Sequence, residues 1–343
     1  NAEQTRLKPV IEEAVVSLLE SATTSLPNNS MAIADLGCSS GPNAIGLVST
    51  VVNAIRRHHG SQHEQPTPEV RVFLNDLPDN DFNTVAKMLV AFKEAHEASG
   101  SAMVTAMVPG SFYTRLFASQ SLHLVCSSSS VHWLSKSPED LVKNRIPAYD
   151  GDDDLRRARQ PIVFEAYRRQ FHSDFTLFLS LRSQELVPGG RMVLSLMGTR
   201  HDDLATRSIH SLERVNFILN DMASRGVIDR ERFDSFYIPL FGPSEKELRE
   251  TIEQEGSFEV NKIQVRESMS SMTNELMLNN PRIIANGTRA VVEPIILQHF
   301  GRSEEIMDEF VRTLEKDIMR NPMYVAEEED PRAYISVYLS RRI

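Results

Sequence analysis

The chain has 343 residues, a formal net charge of −10 and two cysteines. That length exceeds one average domain and accommodates a sheet core with an attached cap. The acidic balance excludes an extended nucleic-acid face, which needs concentrated basic charge, and two cysteines, Cys38 and Cys126, supply neither a disulfide framework nor a metal quartet and suit a reducing cytoplasm.

Taken in chain order, Val10, Ile11, Ala14, Val15, Leu18 and Leu19 recur at helical spacing and predict a first helix. The start, Asn1-Ala-Glu-Gln-Thr-Arg6, does not read as a signal peptide. It also lacks an initiator Met, so a further segment is expected upstream. No apolar run approaches the roughly 20 residues of a membrane span. The run Met31 to Ala34 predicts a buried strand, closed by Asp35-Leu-Gly-Cys-Ser-Ser-Gly41-Pro-Asn43. An acid and then a glycine at a strand's carboxyl end let the backbone turn sharply beside a ligand, which makes Asp35 and Gly37 candidate cofactor contacts. Ile45 to Ile55 predicts the helix that this loop opens. Val70 to Asp76 predicts a second strand ending in its own acid. The spacing D-x-G-x-x-x-G lacks the second glycine of the dinucleotide fingerprint, where Ser39 stands instead. A ribose-binding acid without a pyrophosphate turn points to S-adenosylmethionine rather than NAD.

Asp81 to Ala98 predicts a helix, Ala102 to Val108 a third strand, and Leu122 to Ser127 a fourth. This alternation predicts a doubly wound, mostly parallel α/β sheet, Rossmann-like, with ligands at the strand carboxyl ends. Arg156-Arg157-Ala-Arg159 follows Asp150-Gly-Asp-Asp-Asp154 and reads as a solvated, self-compensating loop. Phe164, Tyr167, Phe171, Phe175, Phe178 and Leu179 mark a long amphipathic helix stopping at Val187-Pro-Gly-Gly190, before a buried strand Arg191 to Leu196. A helix ending in L-x-P-G-G before an apolar strand is common in the second half of class I methyltransferase sheets. Further helices are predicted at Val215 to Ala223, Ser244 to Glu253, Thr288 to Phe300 and Glu304 to Ile318, and a last strand at Tyr334 to Leu339. The expected organisation is a cofactor-binding α/β core from 1–199 and 331–343, with 200–330 inserted as a mainly helical substrate-binding cap.

Four longer stretches carry a family resemblance: D-L-G-C-S-S-G-P-N from Asp35, N-D-L-P-D-N-D-F-N from Asn75, P-G-S-F-Y-T-R-L-F from Pro109 and V-H-W-L-S-K-S-P from Val131. Together with R-F-D-S-F-Y-I-P from Arg232 and E-G-S-F from Glu255, they resemble the plant SABATH methyltransferases over essentially the whole chain. That family methylates the carboxyl groups of salicylic, benzoic, jasmonic and related acids, with a branch that N-methylates xanthines. The resemblance implies that the cofactor's methionine part lies near Cys38 and Asn43. It implies that Asp76 holds the ribose hydroxyls, with Leu77 beside the adenosine, and that Ser111 and Phe112 lie at the adenine. It makes His132 and Trp133 the substrate-facing pair. Asn144, Asp234 and Phe236 match places where some members hold magnesium. It further implies a homodimer and an S-Y-A-x-N-S-x-x-Q segment just before Asn1, beside the cytoplasmic location that the two cysteines suggest.

Three departures bear on specificity. Ser129 stands where many members have Tyr or Phe, and Leu212 falls near a Trp of some salicylate enzymes; both reshape the acyl pocket. Tyr237 replaces the usual Asn after Asp-x-Phe and weakens the magnesium site, since that ion takes compact oxygen donors in near-octahedral array.

The chemistry asks for little. A carboxylic acid with a pKa of about 4 is an anion at neutral pH, so no general base is needed, and the work lies in orienting it in line with an activated methyl group. The indole N–H of Trp133 is a donor that never accepts, which suits a carboxylate oxygen. His132 either donates to the substrate or shapes an aromatic wall. The main expectation is methyl ester formation on a small benzenoid or hormone-like acid. The alternatives are N-methylation of a xanthine-like ring and a catalytically silent cofactor-binding protein. Neither a nucleic-acid partner nor a membrane is expected.

Overall fold

The computed structural model describes residues 2–21, 30–61, 68–97, 102–200, 210–267, 280–321 and 332–343. The chain runs α1 (Ala2–Glu20), β1 (Ser30–Leu36), α2 (Asn43–Ser61), β2 (Glu69–Asp76), α3 (Phe82–Glu97), β3 (Met103–Pro109), β4 (Leu122–Ser128), α4 (Glu139–Asn144), α5 (Asp153–Glu185) and β5 (Leu186–Thr199). It continues through α6 (His210–Ser224), α7 (Arg230–Asp234), α8 (Glu245–Glu255), β6 (Phe258–Glu267), α9 (Pro281–Phe300), α10 (Glu304–Arg320) and β7 (Arg332–Arg341). The strands form one seven-stranded sheet in the order β3-β2-β1-β4-β5-β7-β6. Pairing is parallel from β3 to β5, while β7 runs antiparallel to both β5 and β6.

The strand order reverses between β1 and β4, which opens a crevice at their carboxyl ends, where ligands of open α/β sheets bind. β1 is buried along its whole length, as expected of a central parallel strand covered on both faces. Its side chains alternate between two cores. Met31 and Ile33 join α1, α2 and α3 on one face. Ala32, Ala34 and Leu36 join α5 and α8 on the other. On α5 the rings of Phe171, Phe175 and Phe178 are buried and stacked in sequence. Each contributes roughly 1.5–3 kcal/mol relative to an exposed ring. A third core joins α6, α7, α9 and α10, with Trp133, Tyr149 and Met197 packed against it.

Three expectations need correction. The arginines from Arg156 to Arg159 lie on the first turns of α5, not in a loop, because Asp152 accepts hydrogen bonds from Asp154 N and Leu155 N at 3.0 Å each and starts the helix there. Their charges are nonetheless matched by Asp153, Asp154 and Asp150. β5 begins at Leu186 and absorbs Val187-Pro-Gly-Gly190 through a register shift against β4 between Leu122 and Leu124. The stretch 200–330, expected as a mainly helical cap, also contributes to the core: Phe258–Glu267 is an edge strand of the main sheet, and Leu248, Ile252 and Phe258 belong to the sheet core. Among the described residues no helix is long and apolar enough to cross a membrane.

Candidate active site

The ends of β1, β2 and β3 are laced together. Gly37 N and Cys38 N both donate to Asn75 O at 2.9 Å. The Asn75 side chain in turn donates to Val108 O at 2.7 Å and Gly110 O at 2.8 Å. Gly37 adopts φ +77°, and a Cβ there would lie 2.2 Å from Ser130 Oγ, so this turn tolerates only glycine. Asp76, at the end of β2, receives Ser39 N on Oδ2 at 2.6 Å and Leu77 N on Oδ1 at 2.7 Å. A carboxylate has about four lone-pair sites, so both oxygens keep room to accept from a vicinal diol. The structure thus brings Asp35, Gly37, Cys38, Asp76 and Leu77 to one rim, beside Ser111 and Phe112 after β3.

Asp35 is 4% exposed, and its Oδ1 has no hydrogen-bond partner. Burial and then the nearby Asp76 push its carboxyl up to about 8. Burial, with Asp35 and Asp76, also pushes the Cys38 thiol up, and its Sγ donates to Ser39 O at 3.3 Å. Cys38 is a packed thiol rather than a nucleophile.

Two contributors at this end escaped the sequence reading. Gln4 on α1 donates to Asn43 O at 2.6 Å, so the first helix reaches the start of α2. A buried ion pair, Arg182 and Glu185 on α5, organises the loop that carries Ser111 and Phe112. Arg182 donates to Phe112 O at 2.9 Å and Thr114 O at 3.0 Å, and its Nε lies 2.8 Å from Glu185 Oε2. Glu185 accepts Leu116 N at 2.7 Å and Phe117 N at 3.0 Å. Phe112 meets Phe178 edge-on, with ring centroids 5.8 Å apart. An i,i+3 pair on a helix normally reads as surface charge, and only the tertiary fold buries this one.

The segment after β4 carries the expected substrate-facing pair. Ser129 turns the chain at φ 60° and donates its N–H to Ser195 O at 2.7 Å. His132 and Trp133 follow, with ring centroids 5.9 Å apart. Their backbone is held from two sides. Leu134 N donates to Pro239 O at 2.7 Å, Phe241 N to His132 O at 3.0 Å, and Trp133 bridges Leu240. The Tyr113 hydroxyl donates to Trp133 O at 2.6 Å. Met197 N donates to His132 Nδ1 at 3.2 Å. That bond occupies the Nδ1 lone pair and leaves the ring proton on Nε2. Burial lowers the His132 pKa to about 4, so the ring is neutral at physiological pH.

The residues expected around magnesium do not form an ion site. Among the described residues no cluster of three His, Cys, Asp or Glu side chains is placed to hold a metal. The Asn144 amide donates to Asp140 O at 2.8 Å. Asp234 is 3.4 Å from the Arg230 guanidinium. Phe236 packs on His299 and Phe300. Burial, then Asp234, raise the Tyr237 phenol, which therefore offers a proton rather than an anionic oxygen. These groups do not fit a resident divalent cation. Leu212 lies on α6, with its side chain outside the described residues.

A seven-stranded sheet with one antiparallel strand, a glycine turn after β1 and an acid closing β2 define a class I methyltransferase. One solved structure, a loganic acid methyltransferase with SAH, superposes at a TM-score of 0.81 and 30% identity, covering 99% of this chain and 93% of that one. The chain belongs to the SAM dependent carboxyl methyltransferase family, whose model matches residues 1–342. It is an S-adenosylmethionine-dependent carboxyl methyltransferase. Among curated relatives, the jasmonate O-methyltransferase of Arabidopsis thaliana is 38% identical, over 96% of this chain and 90% of that protein. The salicylate/benzoate carboxyl methyltransferase of the same plant is 40% identical, over 80% and 72%. A probable jasmonic acid carboxyl methyltransferase of Theobroma cacao is 39% identical, over 88% and 83%.

Proposed function

We propose that the acceptor is a small benzenoid or hormone-like carboxylic acid, of the salicylate, benzoate, anthranilate, jasmonate or indole-3-acetate kind, whose carboxylate is received by Trp133 and His132. The observation that carries this reading is the locked tautomer of His132. With Nδ1 already accepting from Met197 N, the ring has a donor to offer and no free lone pair to take a proton. Trp133 likewise only donates. Such a pair suits an acceptor that arrives as an anion. It does not suit a ring nitrogen that must first lose a proton.

The cofactor, when bound, supplies a methyl group on a cationic sulfur. In this reading Asp76 holds its ribose, Leu77, Ser111 and Phe112 border its adenosine, and Cys38 and Asn43 lie along its methionine part. Trp133 Nε1–H and His132 Nε2–H hold one carboxylate oxygen, while the other faces the methyl. With the methyl group supplied by the cofactor to that oxygen and the C–S electron pair kept on sulfur, no residue of the chain would need to move a proton. Orientation of this kind contributes several kcal/mol toward the barrier, of the about 7–11 kcal/mol available from ideal placement. Ser129 and Leu212 border the acyl group. The enzyme is read as a cytoplasmic homodimer without a nucleic-acid partner, on the strength of the two cysteines, the family resemblance and the net charge of −10.

A transfer panel with labelled S-adenosylmethionine tests this, offering salicylate, benzoate, anthranilate, jasmonate, indole-3-acetate and a xanthine. One or more acids should be converted to methyl esters. Trp133→Phe removes a hydrogen bond to a charged group, about 1.5–3 kcal/mol, so kcat/KM should fall roughly 10- to 100-fold. Turnover of the xanthine alone, or cofactor binding without transfer to any acid, would sink the reading.

A further inference from the structure

Helix α4 ends against its own preference. Arg145 adopts φ 53°, the left-handed turn that glycine normally fills after a helix. Ile146 N closes the turn on Leu141 O at 3.0 Å, and Arg145 N on Val142 O at 3.3 Å. A bulky residue in this conformation persists when something outside the helix holds it. That outside group is Tyr237. Its ring is buried in the sheet core, and its hydroxyl donates to Ile146 O at 3.0 Å, with Leu141 O at 3.4 Å. The two carbonyls converge on one proton, so the hydroxyl ties the last turn of α4 to the segment that carries Tyr237.

The other end of the same short segment reaches the acceptor site. Two residues after Tyr237, Pro239 O accepts Leu134 N; Leu240 bridges Trp133; Phe241 N donates to His132 O. A hydrogen-bonded path therefore runs from the end of α4, through Tyr237 and residues 238–241, to the backbone of both substrate-facing residues. We propose that Tyr237 is a positioning residue: its hydroxyl cross-links the α4 turn to the 237–241 segment, and so sets the placement of His132 and Trp133. The assignment rests on the reading that this pair faces the acceptor acid.

Tyr237→Phe keeps the ring and removes only the cross-link. It should raise KM for the acid about tenfold, the loss of one net hydrogen bond of about 1.4 kcal/mol, with KM for S-adenosylmethionine unchanged. Arg145→Gly relieves the left-handed turn, so Arg145→Gly/Tyr237→Phe should recover most of the lost acid affinity; it also provides a foldable background if the single variant is unstable. Hydrogen exchange gives a readout independent of turnover: the amides of Leu134 and Phe241 should exchange faster in Tyr237→Phe, while those of Gly37 and Cys38 should not change. Wild-type melting should be unmoved by millimolar MgCl2, and its activity unmoved by EDTA. Unchanged exchange at Leu134 and Phe241, an equal loss of acid and cofactor affinity, or a magnesium-dependent rise in melting temperature would each overturn the proposal. Failure of every acid in the panel, with the exchange change present, would instead fault the functional reading and leave the cross-link standing.

Discussion

Gly37→Ala is the most informative single perturbation of the cofactor rim, because its cost divides into two parts that can be separated. The first part is conformational: φ at +77° costs a residue with a Cβ about 1–2 kcal/mol. The second is steric. The new methyl would sit 2.2 Å from Ser130 Oγ and 2.5 Å from Ser130 Cβ, and the next neighbour, a ring carbon of Phe112, is 3.7 Å away. Overpacking of this kind costs about 1–3 kcal/mol, so the single variant should lose roughly 2–5 kcal/mol. Ser130→Gly removes both clashing atoms. Alone it forfeits the hydroxyl's bond to Gly37 O at 3.1 Å, about 1 kcal/mol, and adds glycine's chain entropy, about 0.5–1 kcal/mol. In the double variant the steric part vanishes and the conformational part remains. Urea unfolding of all four proteins should therefore give a favourable coupling of about 1–3 kcal/mol. SAH binding by calorimetry should follow the same order, since the turn positions Gly37 N and Cys38 N on Asn75 O. Additivity within about 0.5 kcal/mol would refute the assignment of Ser130 as the wall that demands glycine.

Arg182→Met removes the guanidinium 2.8 Å from the buried Glu185, which keeps the longer Arg115 contact at 3.8 Å, and removes the donors to Phe112 O and Thr114 O; it should destabilise by about 3 kcal/mol, the lower end for a broken buried pair, and weaken SAH binding, and a urea midpoint close to wild type would contradict this. Asp35 carries its proton in the folded chain up to about pH 8, whereas the unfolded carboxyl releases it near 3.8. Folded protein binds more protons across that window, so this group makes stability fall as pH rises through it, by at most about 1.4 kcal/mol per unit. Apo Asp35→Asn should be progressively more stable than wild type from pH 5 to 8, and parallel unfolding curves would rule this out. His132 has the opposite sign: its folded value is lowered to about 4 from 6.5, so its contribution is complete above 6.5 and lost as pH falls toward 4. His132→Asn should flatten the acid limb of the stability profile measured by urea unfolding between pH 7 and 4.

β1 and β4 were legible because burial on both faces writes them as apolar runs, and α5 because its aromatic spacing is helical over many turns. β6 was missed for the complementary reason. Phe258-Glu-Val-Asn-Lys-Ile-Gln-Val-Arg-Glu267 mixes polar and apolar residues as an edge strand does, and its partner among the described strands, β7, lies more than 60 residues later. Gly37, Asp76, His132 and Trp133 were named from local motifs, since a turn or a strand end is a local property. The support of Gln4, Arg182, Glu185 and Tyr237 was not visible, because each acts through contacts between distant segments. Arg156 to Arg159 was misplaced into a loop because its acidic prelude, which contains the helix cap Asp152, looks the same in either setting.

The antiparallel seventh strand orders events during synthesis. β7 pairs with β5 from Arg332 to Ser340, and with β6 on its other side. A ribosome that has released residues up to 267 has produced six strands, of which the first five can already zip in parallel, yet the outer margin of β5 is still open and β6 has nothing to pair with. Closure waits for the residues near 341. The nascent enzyme therefore presents an unpaired, apolar sheet margin for the whole interval in which α9 and α10 are made, and that interval is when chaperone capture or self-association competes most directly with folding.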